Sequence, residues 1–161
     1  MAIMSVDGDY TNVGIAAVGE YDPATNTWTE KTPLPSPRSY PAFGVIDNKI
    51  YIAGGMPNNT SNSNTLFIYD PATDTWETKT PMPIGHRYHS GTLYNGKIYV
   101  FGGYRPNGSV VDDAYFYDPV TDKWVTLDPM PIVRESHGSV LYNDQVYVFG
   151  GNTYTTERVA T

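Results

Sequence analysis

"YDPATDTWETKTPMP", residues 69–83, stands between two near-copies of itself: "YDPATNTWTEKTPLP" at 21–35 and "YDPVTDKWVTLDPMP" at 117–131. Each begins on an aromatic residue and an Asp-Pro pair. The Asp side chain accepts hydrogen bonds from turn amides, and the Pro presets φ for the second turn position. A Trp then opens a short polar run, and a Pro-x-Pro closes it. The pattern is that of a strand end, a tight turn and a second strand, three times over.

A second template recurs between the copies of the first. It reads "NKIYIAGG" at 48–55, "GKIYVFGG" at 96–103 and "DQVYVFGG" at 144–151. Trp28, Trp76 and Trp124 are spaced by 48 residues, and so are Gly54, Gly102 and Gly150 and Tyr21, Tyr69 and Tyr117. No insertion or deletion disturbs the period. Each repeat divides into four strands. The first is "SYPAFGVI", "YHSGTLY" or "SHGSVLY", followed by an Asn- or Gly-containing turn; Asn95-Gly96 is the strongest hairpin signal among them. The second strand ends at the glycine pair, where no side chain fits or positive φ is needed. A variable polar loop leads to the third strand, "LFIYD" in the central copy. The Asp-Pro turn leads to the fourth, "WETKT".

The second strands carry apolar residues on both faces, Ile50 and Ile52 on one and Tyr51 and Ala53 on the other. Such a strand belongs to a sheet covered on both sides. One four-stranded sheet cannot cover itself, but sheets stacked radially cover one another, which is a β-propeller. With the glycine pair, the Tyr before the Trp and the "PMP" junction, residues 17–161 resemble the kelch repeat, whose period is close to 50. The resemblance implies an all-β, kelch-type β-propeller of four-stranded antiparallel blades, usually six. It does not imply an activity: such propellers serve as adaptors, cytoskeletal binders and cell-surface modules, and more rarely as enzymes.

The repeat register divides the chain into a half-blade at 17–35, blades at 36–83 and 84–131, and a half-blade at 132–161. The half-blades are complementary. Three blade equivalents are too few to close a ring, since propellers have about four to eight. Two chains give six, so the expected assembly is a homodimer joined through its half-blades. The competing expectation is a natural or engineered half-propeller fragment. Residues 1–16 are read as an arm, disordered or a degenerate strand with Asp7-Gly8 near the place of the glycine pair.

Composition bounds the rest. The chain has 161 residues, a net charge of −7 and no cysteine. The negative balance disfavours nucleic acid and anionic membranes as partners. Disulfides and thiolate chemistry are excluded. No run of 18 apolar residues spans a membrane, and the N-terminus lacks the pattern of a signal peptide. The compartment stays open between cytoplasm and excision from a secreted parent. Sequons at Asn58 and Asn107 lie in polar loops.

In a kelch propeller the loops before first strands and after second strands lie near the central channel. Arg38, His86 and Arg134 hold equivalent positions there, with Ser39, Arg87 and Glu135 beside them. They are expected to form a polar rim that holds an acidic peptide or a carboxylated sugar. The alternative is that they cap strand ends and pair with loop carboxylates. Tyr104, Arg105 and Tyr154, with Asn107, are loop residues suited to stacking on a sugar or peptide. His86 and His89 are a His-x-x-His pair near a strand, where odd spacing separates the side chains, so no metal is expected. Asp7 and Asp9, and Asp112 and Asp113, are loop carboxylates without an evident convergence. The family's copper oxidases use a tyrosine crosslinked to cysteine, which this chain lacks. The expected function is therefore non-catalytic recognition without a cofactor, a peptide or glycan as ligand. An enzyme acting on a sugar at the channel mouth is the alternative.

Overall fold

A computed structural model describes residues 14–58 and 61–153. Twelve strands occur among them, and no helix. The strands are β1 (Val18–Asp22), β2 (Thr27–Lys31), β3 (Ala42–Ile46), β4 (Lys49–Ala53), β5 (Leu66–Asp70) and β6 (Thr75–Lys79). They continue as β7 (Ser90–Tyr94), β8 (Lys97–Phe101), β9 (Ala114–Asp118), β10 (Lys123–Thr126), β11 (Gly138–Tyr142) and β12 (Gln145–Phe149). β3–β6 and β7–β10 are four-stranded antiparallel meanders; β1–β2 and β11–β12 are two-stranded hairpins.

The turn chemistry is the same in every copy. Asp22, Asp70 and Asp118 each accept a hydrogen bond from the amide two residues on, at 2.8, 3.0 and 2.9 Å. The β3–β4, β7–β8 and β11–β12 turns carry two residues of positive φ: Asp47-Asn48, Asn95-Gly96 and Asn143-Asp144. Their handedness matches the twist of the flanking strands.

The sheets stack face to face, as propeller blades do. One core cluster joins Ala42, Tyr51, Ala53, Leu66 and Ile68 of the first full sheet to Ile98, Val100 and Tyr117 of the next. A smaller one joins Phe101, Ala114 and Met130 to Val146 and Val148. The first strands β3, β7 and β11 pack side by side at the inner end of the stack. Small residues permit this. A Cβ on Gly91 would lie 2.8 Å from the Ala42 Cβ, and one on Gly44 would lie 2.6 Å from Leu93 Cδ2. Thr92 Oγ1 donates to Ser139 Oγ at 2.6 Å between β7 and β11.

The outer end is stapled by the first template. Trp76 Nε1 donates to Thr32 O and Trp124 Nε1 to Thr80 O, each at 2.9 Å. In return the Thr32 amide donates to Asp74 and the Thr80 amide to Asp122. Tyr69 and Tyr117 donate their hydroxyls to the same two carboxylates. Burial, and then that bond to Asp74, push the Tyr69 hydroxyl up to about 12. The Pro-x-Pro segment that ends one sheet is thus held by the outer hairpin of the next. Residues 14–16 are tied down as well: Ala16 O accepts from Leu34 N, and Ile15 O from Arg38 N. The rest of the expected N-terminal arm, including Asp7 and Asp9, lies outside the described residues.

Candidate functional site: the inner mouth of the blades

The loops leading into β3, β7 and β11 share one backbone form. Tyr40, Tyr88 and Ser136 stand at one repeat position with φ of 56°, 58° and 53°. A side chain in that region costs about 1–2 kcal/mol, so surrounding contacts must impose it. Ser39 exchanges two backbone hydrogen bonds with Met56, Arg87 with Tyr104, and Glu135 with Asn152, at 2.8–3.2 Å. The glycine pairs make room for this approach. A Cβ on Gly55 would lie 2.8 Å from Ser39 O, on Gly103 2.7 Å from Arg87 O, and on Gly151 2.5 Å from Glu135 O.

The consequence is an open hollow of about 290 Å³ lined by Tyr40, Pro41, Tyr88, His89, Ser136 and His137. The Tyr40 and Tyr88 rings touch at 4.3 Å between centroids. His89 forms part of the floor. Its Nε2 lies 3.1 Å from the Ala42 amide and 3.0 Å from Ala53 O. Burial first, and then His86, hold its pKa down to about 3. His137, at the same repeat position, is held at about 4 by burial and Arg134. Both rings are neutral at pH 7.

The arginines divide into two kinds. Arg105 is committed: it makes a two-pronged ion pair with Asp113, whose Oδ2 also faces His86 Nε2 at 2.8 Å. Burial works to raise the Asp113 pKa, but bonds from Arg105 and His86 outweigh it and hold the carboxyl below its ordinary value. His86 is depressed by burial, with Asp113 opposing. Arg38, Arg87 and Arg134 have no carboxylate partner among the described residues. Arg38 donates to Ser36 Oγ, Pro37 O and Thr65 Oγ1 and lies over the Phe67 ring. Arg87 lies over the rings of Tyr104 and Tyr88, at 4.7 and 5.5 Å, and donates to Met56 Sδ. Arg134 donates to Gly150 O. Glu135 is buried, with Oε2 unpartnered among the described residues.

The residues expected at an open rim therefore stand at different depths. His86 is fully buried and Arg38 nearly so; neither lines the hollow. Arg87 and Arg134 are half-buried next to lining residues. Tyr104 is drawn to the mouth by its bridge to Arg87. Arg105 is turned to Asp113, and Tyr154 lies outside the described residues. Tyr40, Tyr88 and Ser136, the most direct lining, escaped the sequence reading. The available signal was a Tyr at the same place in two copies, immediately before a first strand. Among the described residues no cluster of three His, Asp or Glu groups is placed to hold a metal. No helix among them is long and apolar enough to cross a membrane.

A family model described as the KLHDC2/KLHL20/DRC7 Kelch-repeats domain matches residues 7–157. The chain belongs to the kelch-repeat family. Kelch relatives match over shorter stretches. Kelch-like ECH-associated protein 1A of Danio rerio is 44% identical over 43 residues, 27% of this chain and 7% of that protein. An F-box/kelch-repeat protein of Arabidopsis thaliana is 32% identical over 62 residues, 34% of this chain and 13% of that protein. The aligned kelch segments thus span a small part of either relative's length.

Proposed function

We propose that this chain is a non-catalytic kelch binding module, and that the hollow at its inner mouth takes an acidic protein segment or a carboxylated glycan. Arg87 carries the reading. Its guanidinium lies over the rings of two tyrosines beside the hollow and has no carboxylate partner among the described residues, in a chain of net charge −7. An unpaired, half-desolvated guanidinium favours a bidentate carboxylate. The tyrosines supply stacking surface, and the neutral histidines beneath add no charge of their own. In the same reading a second copy of the chain completes the ring to six blades, so that the mouth carries the arginine positions twice. The alternative of a sugar-processing enzyme calls for convergent carboxylates at the mouth. Among the described residues Glu135 is the carboxylate left there, since Asp113 is tied up with Arg105 and His86.

The test is an anisotropy titration with a labelled Glu-rich nonapeptide, its Gln counterpart and glucuronate as competitor. The Glu peptide is expected to bind more tightly than the Gln peptide and to weaken with salt. Arg87→Ala is expected to weaken it about tenfold, worth about 1.4 kcal/mol. Equal binding of the two peptides overturns acidic recognition at this mouth.

A further inference from the structure

Resting on the two-copy ring, we infer the joint that makes it: β12 of one copy pairs antiparallel with β1 of a second copy in the register of the two intact sheets. In those sheets the second strand meets the third as Ile50↔Tyr69, Tyr51↔Ile68, Ile52↔Phe67 and Ala53↔Leu66. The next sheet repeats this 48 residues on, with Ile98↔Tyr117 through Phe101↔Ala114. Advancing once more places Val146 opposite Tyr21, Tyr147 opposite Glu20, Val148 opposite Gly19 and Phe149 opposite Val18 of the second copy. Among the described residues β1 pairs with β2 alone and β12 with β11 alone. Each leaves an open edge of backbone donors and acceptors.

The exposed apolar residues are distributed as this joint requires. On the β11–β12 hairpin Val140, Tyr142, Tyr147 and Phe149 share one face, 48–63% exposed. Their counterparts in the first full sheet face the sheet that follows; Tyr51 and Ala53 are 5% and 0% exposed. At the other end Phe43 and Val45 of β3 are 70% and 56% exposed. Leu93, the counterpart of Val45, packs into the core between sheets, and Gly91, the counterpart of Phe43, lies against Ala42. Joining the copies lays the first face on the second. Within the chain Gly44 already meets Leu93 in the way that Val140 would meet Val45.

The tryptophan staple gives a third, independent match. Trp28 is 72% exposed, whereas Trp76 and Trp124 reach back to Thr32 and Thr80. The next member of that acceptor series is Asp128. Across the joint the Trp28 indole N–H donates to Asp128 O of the second copy, and the amide of that Asp128 donates to Asn26, which stands where Asp74 and Asp122 stand. Gln145 meets Asp22 where Lys49 and Lys97 meet Asp70 and Asp118. The occupant is a second copy because it offers both complementary surfaces at once, and two such joints bury both pairs of edges.

The test uses the full chain, whose lack of cysteine makes introduced thiols unique. Glu20→Cys with Tyr147→Cys is expected to form a disulfide-linked dimer under mild oxidation. Glu20→Cys with Val148→Cys, slipped by one residue onto opposite faces, is not. All three altered side chains lie on the open hairpins, and wild-type mass by light scattering is read alongside. A wild-type mass of about 36 kDa, twice 17.8 kDa, with linking only in the first pair supports the joint. The same mass with no linking, or with linking in the slipped pair, overturns the joint and leaves the two-copy ring standing. A wild-type mass that stays at 17.8 kDa on concentration overturns both. Linked species larger than a dimer mean an open chain of copies, and also overturn the ring.

Discussion

Trp76 lies in β6 and Thr32, 44 residues earlier, just past the end of β2 in another sheet, yet the indole N–H of one lies 2.9 Å from the carbonyl of the other. The Thr32 amide returns a bond to Asp74, two residues before that Trp. One short segment is gripped by both of its backbone groups, and the grip recurs at Trp124, Thr80 and Asp122. The staple gives Trp76 and Trp124 a task that another large apolar residue could not do: the carbonyl calls for a ring with a donor.

Trp76→Phe keeps an aromatic ring and removes the donor. The expected loss is about 1 kcal/mol, the net worth of one hydrogen bond, read from the urea midpoint. Trp28→Phe, on a hairpin without that staple inside the chain, is expected to leave the stability of the single chain unchanged. In the joined ring the same change weakens association, so the two variants separate folding from assembly.

Gly103→Ala tests the close approach at the inner mouth. Gly103 has φ of 99°, and its Cβ would lie 2.7 Å from Arg87 O, a backbone atom that cannot turn aside. Strain and displacement together are expected to cost about 2–4 kcal/mol, with binding of the acidic peptide lost at temperatures where the fold survives. Gly96→Ala has open space around its Cβ. It is expected to cost only the left-handed penalty of about 1–2 kcal/mol.

The buried histidines set a pH dependence. His89 and His137 titrate at about 3 and 4 in the folded chain, against 6.5 when unfolded. The unfolded chain takes up protons first, so stability is full above about 6.5 and falls as the pH drops toward 4 and 3. Asp113, held below its ordinary 3.8, adds a loss at the acid end as the pH falls through its folded value. Denaturation curves between pH 7 and 4 are expected to lose a few kcal/mol, at about 1.4 kcal/mol for each pKa unit. His89→Gln is expected to flatten the upper part of that slope; an unchanged slope would remove His89 as its source.

The strand pattern was legible because the same physics was written out three times. Alternation, the Asp-Pro turn and the Asn-Gly turn locate β5–β6 and β7–β8 to within a residue or two, and the copies correct one another. The recurrence of the tryptophans was legible too, but their acceptor was not, since Thr32 is an ordinary exposed residue until the fold brings it to Trp76. The mouth was half legible. Position in the repeat points to the loops that border the hollow, yet not to which side chain each loop presents. That choice depends on the left-handed turn at Tyr40, Tyr88 and Ser136, which reverses the order of depth expected for a plain strand entry. Arg38 and His86 go under, and the residue two places later comes to the surface. The sequence places Arg105 among loop residues suited to stacking on a ligand, and its pairing with Asp113, eight residues on, arises only once the loop closes.

The left-handed turn at the three loop positions is held chiefly by backbone bonds and by the room the glycines leave, with Ser39 Oγ adding one bond to Met56 O in the first copy. The buried neighbours His89 and Glu135 belong to the fold, but the residue at the turn itself varies among the copies: Tyr40, Tyr88 and Ser136. The loops therefore behave as a socket of fixed shape with interchangeable contents. A change of side chain there rewrites the surface that a partner reads without renegotiating the fold, so specificity in this scaffold can drift one loop at a time while the blades stay as they are.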